Sequence, residues 1–332
     1  MPEPADGVPP VPAELRAARV AGRTIEVRDL VKRYPGTPVN AVDGVSFDVL
    51  EGQFFCLLGP NGAGKTTTSS ILATTLAPTS GNVRIAGFDV AREQPDVRRQ
   101  LGAVFQQPSL DLNLTVEENV RVHAILYGLY PWRPGYRSMP AAYREHVHRL
   151  AGVLGLADQL GRPVRALSGG MRRRLEIVRA LMHLPRVLVL DEPTAGLDPE
   201  GRRDLWAHLR EVRDRHATTI VLTTHYLEEA EEADSLCVLW QGRILERGTP
   251  AAIRARHARS EIVLDAADPE GLRRELAAMG IAAEPGRPVR VSLDGRNAQD
   301  VIRGLETRLT VLRIAEPTLE AAYLSLLERA RS

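Results

Sequence analysis

Residues 59–66, Gly59-Pro60-Asn61-Gly62-Ala63-Gly64-Lys65-Thr66, decide the fold of this chain. They follow the apolar run Phe54-Phe55-Cys56-Leu57-Leu58, which is short and aromatic enough to predict a buried strand. They precede residues 67–72, which suit the first turns of a helix. A strand, a glycine-rich loop and a helix, in that order, are the setting of a phosphate-binding loop. Glycines let the backbone close around an anion, and the N–H groups at the helix start direct positive charge toward phosphate oxygens.

Lys65 and Thr66 carry the side-chain chemistry of this loop. Only Lys32 and Lys65 are lysines among the 43 lysines and arginines of the chain. The other basic residues are arginines, so a lysine at position 65 fits a site that needs a compact ammonium at the β- and γ-phosphates. The Thr66 hydroxyl is then the expected Mg²⁺ ligand. A plain glycine-rich turn is the alternative, and the length of the motif and its flanks argue against it.

Composition limits the function classes. The chain has 332 residues, of which 44% are apolar and 26% charged, and its formal net charge is +1. This length predicts two domains, and this charge lacks the basic footprint of a nucleic-acid binder, so we expect no nucleic-acid partner. Cys56 and Cys237 lie in apolar runs and are expected in the core of a protein from a reducing cytosol. We see no signal peptide and no apolar stretch of the ~18–20 residues that span a bilayer, so a partner would supply any membrane attachment.

The chain divides into three expected segments. Residues 1–22, rich in proline and alanine, predict a disordered tail. Residues 23–256 predict an N-terminal antiparallel patch that feeds a mostly parallel sheet. Residues 257–332 predict a small α+β domain with the order β-α-β-β-α-β and a final helix capped by Thr318. The elements of that domain are expected at 261–265, 269–279, 281–283, 288–293, 297–309 and 310–314.

Polar residues come directly after several apolar runs, at the points where the expected strands end. Gln106, the pair Asp191-Glu192, and His225 each follow such a run. Continuous apolar runs are typical of strands buried on both faces, and ligands bind at the carboxyl edge of such sheets. Together with Lys65, these residues predict one site at that edge. Solvated strand-end charges and a structural histidine are the alternatives.

A second helix start also suits an anion. Ser168 is a good N-cap, and Gly169 and Gly170 leave backbone N–H groups open at the start of an arginine-rich helix. The three consecutive arginines 172–174 of that helix are predicted to form a solvated face.

These motifs, in this order, resemble the ATP-binding subunit of an ABC transporter over residues 24–250. Gln106 matches the family's glutamine loop, Leu167–Met171 its signature, Asp191-Glu192 its second nucleotide motif, Ala195–Asp198 its D-loop and His225 its switch histidine. The resemblance implies an α/β P-loop NTPase fold with a helical subdomain at about 109–167. Met171 departs from the glutamine of the most familiar signature, whereas the phosphate-facing serine and glycines remain.

The resemblance also implies ATP and Mg²⁺ as cofactors and an ATPase reaction. Asp191 would hold Mg²⁺ through water, Glu192 would polarise the attacking water, and His225 would contact the γ-phosphate. Gln106 would reach the metal or the water, and Tyr34 would stack on adenine. In the family, the signature closes over the nucleotide of a second ATP-binding subunit, identical or different. The nucleotide-binding residues implied are Tyr34, residues 59–66, Thr67, Ser168, Gly169, Gly170 and Asp198, and the metal ligands are Thr66, Gln106 and Asp191.

Residues 316–324 look like the ending of the drug-resistance branch of these ATPases, the daunorubicin-exporter type. That branch works with a separate membrane subunit of the ABC-2 kind. The resemblance therefore implies export of a drug-like or lipid-like substrate, with this chain at the cytoplasmic face of the membrane. A non-transport ABC ATPase with a soluble or nucleic-acid partner, and a binding module without catalysis, are the alternatives.

An aromatic and proline-rich stretch, residues 127–143, predicts a broken loop between two helices. We hypothesise that Trp132 and its neighbours contact the membrane partner or the lipid interface, where aromatic side chains are favoured. Local packing of an extended loop is the alternative.

Overall fold

Two compact units make up the chain, one ending at Ile244 and the other beginning at Leu245. The computed structural model of the chain describes residues 22–258, 261–283, 285–293, 296–315 and 317–331. The segment expected to be disordered, residues 1–22, lies outside these ranges except for Gly22. Within the same ranges, no helix combines the length and the apolar composition that crossing a membrane requires.

Two sheets form the framework of the first unit. The strands are β1 (Arg23–Lys32), β2 (Val42–Leu50), β3 (Phe54–Leu58), β4 (Ser80–Ile85), β5 (Phe88–Asp89), β6 (Leu101–Val104), β7 (Val187–Asp191), β8 (Thr219–Thr224), β9 (Ser235–Trp240) and β10 (Arg243–Gly248). One sheet has the antiparallel order β2-β1-β4-β5, and the other has the order β10-β9-β3-β8-β7-β6. The pairings from β9 to β6 are all parallel. The expected antiparallel patch beside a mostly parallel sheet is confirmed.

Helices alternate with the strands along the chain, and several of them pack against the parallel sheet. They are α1 (Lys65–Leu72), α2 (Gln94–Gln100), α3 (Val116–Leu126), α4 (Ala141–Val153), α5 (Gly169–Leu181), α6 (Pro199–His216) and α7 (Leu227–Glu231). Thr115 caps α3 in a capping box, because its hydroxyl accepts from the N–H of Glu118 and the Glu118 carboxylate accepts from the N–H of Thr115.

The main core joins the two sheets and α1. The rings of Phe47 in β2 and Phe55 in β3 stack with centroids 5.0 Å apart, and Ile71 of α1 lies in the same buried cluster. Strands β3 and β7 are buried along their whole length, as their continuous apolar sequences predict. Cys56 and Cys237 are both buried, which confirms them as core residues. Burial raises the pKa of the Cys56 thiol well above its ordinary value.

The aromatic stretch between α3 and α4 is part packed and part exposed. The ring of Tyr130 meets that of Tyr143 edge-on with centroids 5.2 Å apart, and both side chains are buried. The Tyr143 hydroxyl donates to Glu117 Oε1 at 2.9 Å. In contrast, 68% of Trp132 is exposed to solvent. Local packing therefore accounts for Tyr130 and Tyr143, whereas the ring of Trp132 remains accessible to a partner.

A three-stranded sheet with helices forms the second unit. Its elements are α8 (Pro250–His257), β11 (Glu261–Ala266), α9 (Pro269–Ala278), β12 (Val289–Ser292), α10 (Ala298–Arg303), β13 (Leu309–Ala315) and α11 (Leu319–Arg331). The sheet order is β12-β11-β13, with antiparallel pairs. Helix α8 packs against α11, so the unit starts before residue 256, where the sequence places the boundary.

Two elements of this unit are shorter than the sequence predicts. The expected strand at 281–283 is a single bridge between Ala283 and Val291, because the N–H of Ile281 donates instead to the carbonyl oxygen of Leu276 in α9. The expected helix at 297–309 ends at Gly304, a poor helix former. The final helix has the predicted cap, since Thr318 Oγ1 accepts from the N–H of Ala321 at 3.1 Å.

Candidate functional site

The loop of residues 59–66 joins β3 to α1 and requires glycine at two of its positions. Gly64 has φ of +100°, and a Cβ there would lie 2.5 Å from the carbonyl oxygen of Ala41. A Cβ on Gly59 would lie 2.4 Å from the carbonyl oxygen of Leu239. The backbone of the loop therefore lies directly against the backbone of neighbouring segments, where a side chain would not fit.

Lys65 points into the interior of this loop, and only 4% of the residue is exposed. Its ammonium donates to the carbonyl oxygens of Gly59 at 2.8 Å and Pro60 at 3.1 Å. The ammonium also lies 3.6 Å from Glu192 Oε1. Burial lowers the pKa of Lys65, while the carboxylates of Glu192 and Asp191 oppose that shift. This places one cation at the position where a phosphate-binding loop uses it.

Asp191 ends β7 with its carboxylate almost fully buried. Its Oδ1 accepts from Thr223 Oγ1 at 2.5 Å and from Thr66 Oγ1 at 3.4 Å. Carboxylate and hydroxyl oxygens are ligands that Mg²⁺ prefers, so these residues fit the ion. Among the described residues, no group of three or more His, Cys, Asp or Glu side chains is arranged to hold a metal ion.

Glu192 is the residue on which the site converges. Its carboxylate lies 3.6 Å from Lys65 Nζ, 3.3 Å from His225 Nδ1 and 3.4 Å from Gln106 Nε2. The backbone of Glu192 has φ of +45°, and its N–H donates to the Oγ1 and the carbonyl oxygen of Thr223. A left-handed backbone at a non-glycine residue is a strained state that surrounding contacts must maintain. The four side chains predicted at strand ends, together with Lys65, are thus brought together, with Gln106 beside Glu192 rather than Asp191.

Tyr34 and Thr67 lie together at the rim of the loop. The Tyr34 hydroxyl is 3.2 Å from Thr67 Oγ1, and the ring remains partly exposed. The Lys32 ammonium lies over the Tyr34 ring, 5.6 Å from the ring centroid. An exposed aromatic face next to the phosphate loop is compatible with the stacking role that the sequence suggests for Tyr34.

The signature and the D-loop share a different surface. Ser168 Oγ accepts from the N–H of Met171 and caps α5, and Asp198 Oδ1 accepts from the N–H of Gly201 and caps α6. A Cβ on Gly170 would lie 3.6 Å from Leu197 Cδ2, so the two motifs are neighbours. In the described part of the chain, neither Ser168 nor Asp198 hydrogen-bonds to the cluster around Glu192. Ser168 and Gly169 are exposed.

The prediction that arginines 172–174 form a solvated face is wrong. Arg173 is 9% exposed, and its guanidinium donates to the carbonyl oxygens of Phe105 at 2.6 Å, Asp191 at 2.7 Å and Pro193 at 3.1 Å. A run of charges alone cannot reveal carbonyl groups that distant segments bring to it. Thr223, which binds both Asp191 and Glu192, was also missed, although its position at a strand end was a usable signal.

Comparison with known proteins gives a family. The family described as "ABC transporter" matches residues 42–195. The daunorubicin/doxorubicin resistance ATP-binding protein DrrA of Streptomyces peucetius is 42% identical over 234 residues, which are 70% of this chain and 67% of that protein. The Nod factor export ATP-binding protein I of Paraburkholderia xenovorans is 41% identical over 251 residues, 75% of this chain and 79% of that protein.

The solved structures agree with the sequences. A dimeric ATP-binding cassette in a post-hydrolysis state, bound to ADP and Pi, is 25% identical and has a TM-score of 0.60. The match covers 68% of this chain and 98% of that cassette. The phosphate loop, the strand-end carboxylates and these matches agree, and the chain therefore belongs to the family of ABC transporter ATP-binding subunits, the ATPases of these transporters.

Proposed function

We propose that this chain couples Mg-ATP binding and hydrolysis, in a nucleotide-sandwich dimer, to export of a drug-like or lipid-like substrate through a separate ABC-2 type membrane subunit. The observation that carries the catalytic part is the convergence of Lys65, Gln106 and His225 on the carboxylate of Glu192. A lone carboxylate among three polar side chains is suited to positioning and polarising a water molecule.

The loop and Lys65 bind the phosphates in this proposal. The backbone N–H groups at the end of the loop and at the N-terminus of α1 attract the negative charge, and the Lys65 ammonium adds a full positive charge. Phosphate oxygens then compete with Glu192 for this ammonium, because the two groups are only 3.6 Å apart. Nucleotide binding would thus free the Glu192 carboxylate for water.

Glu192 accepts a proton from the attacking water in this proposal, and Gln106 and His225 orient that water and the γ-phosphate. Mg²⁺, bound near Asp191 and Thr66, would neutralise phosphate charge. Thr223 keeps Asp191 and the Glu192 backbone in place through its hydroxyl. The adenine stacks on the ring of Tyr34, beside which Thr67 lies.

Dimerisation supplies the other half of each site. The signature residues Ser168, Gly169 and Gly170, with Asp198 beside them, would close on the nucleotide of a second ATP-binding subunit. The solved dimeric cassette bound to ADP and Pi supports this arrangement. The second subunit is another copy of this chain or a different ATPase.

The exporter assignment rests on the relatives. One is named for daunorubicin and doxorubicin resistance and another for Nod factor export. Both names support outward transport by a membrane complex, with this chain bound to its permease at the cytoplasmic face. The second compact unit, from Leu245, then has a regulatory or dimer-stabilising role.

Glu192→Gln tests the proposal. The amide keeps the shape but cannot take a proton, so ATP binding should remain while kcat falls ~10²–10³-fold. In a pull-down from detergent-solubilised membranes with ATP present, the variant should co-purify with a polytopic membrane protein. The matched control is Glu228→Gln, which neutralises an exposed carboxylate nearby and should leave turnover unchanged.

Hydrolysis by Glu192→Gln at a rate near that of the wild type would refute the role of Glu192. Capture of ribosomes, nucleic acid or a soluble protein instead of a membrane protein would favour the non-transport ATPase.

A further inference from the structure

Three side chains on one face of α5 form hydrogen bonds with both ends of residues 105–109, the segment that carries Gln106. Arg173, Glu176 and Arg179 are spaced three residues apart, so they lie on successive turns of the helix. Arg173 donates to the carbonyl oxygen of Phe105 at 2.6 Å, directly before Gln106. Glu176 Oε1 accepts from the N–H of Ser109 at 3.0 Å.

Arg179 adds two hydrogen bonds at the Ser109 end of the segment. It donates to the carbonyl oxygen of Ser109 at 2.7 Å and also to the Ser109 hydroxyl. Arg173 and Glu176 form an ion pair at 2.9 Å, with both side chains buried, which links the hydrogen bonds at the two ends of the segment. Residues 106–109 are exposed between them. Their position is therefore set by these hydrogen bonds more than by packing.

Arg173 also contacts the backbone at the end of β7, around Glu192. Its other nitrogens donate to the carbonyl oxygens of Asp191 at 2.7 Å and Pro193 at 3.1 Å, on either side of Glu192. One guanidinium thus links the start of α5, the backbone around Glu192 and the residue before Gln106. Hydrogen bonds from a charged donor to buried carbonyl groups are among the stronger ones in proteins.

We propose that Arg173, Glu176 and Arg179 form a clamp that holds the Gln106 segment in place against the backbone around Glu192. This inference rests on the proposed roles of Gln106 and Glu192 in ATP hydrolysis. Because one guanidinium binds the residue before Gln106 and the residues on both sides of Glu192, it fixes the distance between these two side chains. Arg173 is then a positioning residue, because it touches no substrate.

Arg173→Lys tests the clamp because lysine keeps the charge but lacks the planar fork that reaches three carbonyl groups at once. We expect kcat of ATP hydrolysis by the full chain to fall on the order of tenfold to a hundredfold, with little change in KM for ATP. The matched control is Arg172→Lys on the same helix. Its guanidinium donates to the carbonyl oxygens of Val164 and Arg165 instead, so its kcat should stay near that of the wild type.

A double-mutant cycle separates positioning from general stability. Gln106→Ala should lower kcat in the wild-type chain and in Arg172→Lys, but should have little further effect in Arg173→Lys, where the segment is already released. An equal loss in all three backgrounds would overturn the clamp. So would an Arg173→Lys chain with the kcat of the wild type.

Arg179→Lys gives a second variant at the more exposed end, should Arg173→Lys prove poorly folded by circular dichroism. The same loss of the Gln106→Ala effect is expected, and additive effects would overturn the clamp. The turnover of Glu192→Gln provides the separate check on the proposed function. A slow Glu192→Gln with an additive cycle refutes only the clamp, whereas hydrolysis by Glu192→Gln near the wild-type rate refutes the proposed function on which the clamp rests.

Discussion

At the scale of the residue, Glu229 is a buried carboxyl group one turn after His225. Only 4% of the residue is exposed, and its carboxylate accepts from the hydroxyl of Thr194, at the start of the D-loop segment. Burial raises the pKa of Glu229, and the hydrogen bonds from Thr194 and Thr224 oppose that shift only in part. The ionised Glu229 carboxylate therefore destabilises the fold, although it joins the segment after His225 to the segment before the D-loop.

We expect Glu229→Gln to be at least as stable as the wild type at neutral pH. Below the ordinary carboxyl pKa near 4.5, both states of the wild type carry a neutral Glu229, so the two proteins should unfold alike. As pH rises, the unfolded chain ionises first, and the wild type loses stability until the folded pKa is passed. Each 1 kcal/mol of this penalty corresponds to about 2–4 °C in Tm.

Thermal unfolding between pH 4 and pH 8 measures this difference. Glu228→Gln, at an exposed neighbouring carboxylate, is the control and should show no such trend. A Glu229→Gln chain that is less stable at pH 8 than at pH 4, relative to the wild type, would contradict the burial argument.

At the scale of the element, the aromatic loop between α3 and α4 is better tested by substitution than by deletion. Met139 and Tyr130 are buried, so removing the loop would damage the helices that it joins. Trp132→Ser removes only the exposed ring and should leave Tm unchanged. If the ring contacts the membrane partner, recovery of that partner should fall about tenfold, which corresponds to about 1.4 kcal/mol of binding free energy.

Leu50→Ser is the control for this substitution, because Leu50 is also a largely exposed apolar residue but lies at the end of β2. Equal recovery of the membrane partner with Trp132→Ser and Leu50→Ser would mean that Trp132 has no role in assembly.

The strands and the helix starts were predictable because their signals are local. The apolar runs of β3 and β7, the glycines of the phosphate loop and the capping box at Thr115 are each contained in a few consecutive residues. The clustering around Glu192 followed from the rule that strand ends meet at one edge. Helix α6 was not predicted, although Leu205, Leu209 and Val212 mark a buried face at helical spacing.

The contacts of Arg173 were not predictable, since they depend on carbonyl groups from segments far away in the chain. The same holds for the start of the second unit, which depends on packing between α8 and α11. Long-range contacts of this kind leave no local pattern in the sequence.

At the scale of the whole molecule, all the candidate nucleotide residues lie between Tyr34 and His225, within the first unit. We expect Mg-ATP to slow amide hydrogen exchange in Glu192→Gln at the phosphate loop and residues 105–109, by up to ~100-fold at a hundredfold excess over Kd. A regulatory or dimer-stabilising second unit predicts slower exchange in residues 245–331 as well. Mass spectrometry of the exchanged peptides measures this, and unchanged exchange in β11 and β13 would argue against either role.

The burial of Cys56 and Cys237 has a practical consequence for spectroscopy. The chain contains two cysteines, and neither side chain reaches solvent. Since labelling reagents react with accessible thiolates, a cysteine introduced at an exposed site such as Glu228 would carry the label alone. Pairs of spin labels or fluorophores could then report distances between subunits through a transport cycle without prior removal of the native cysteines.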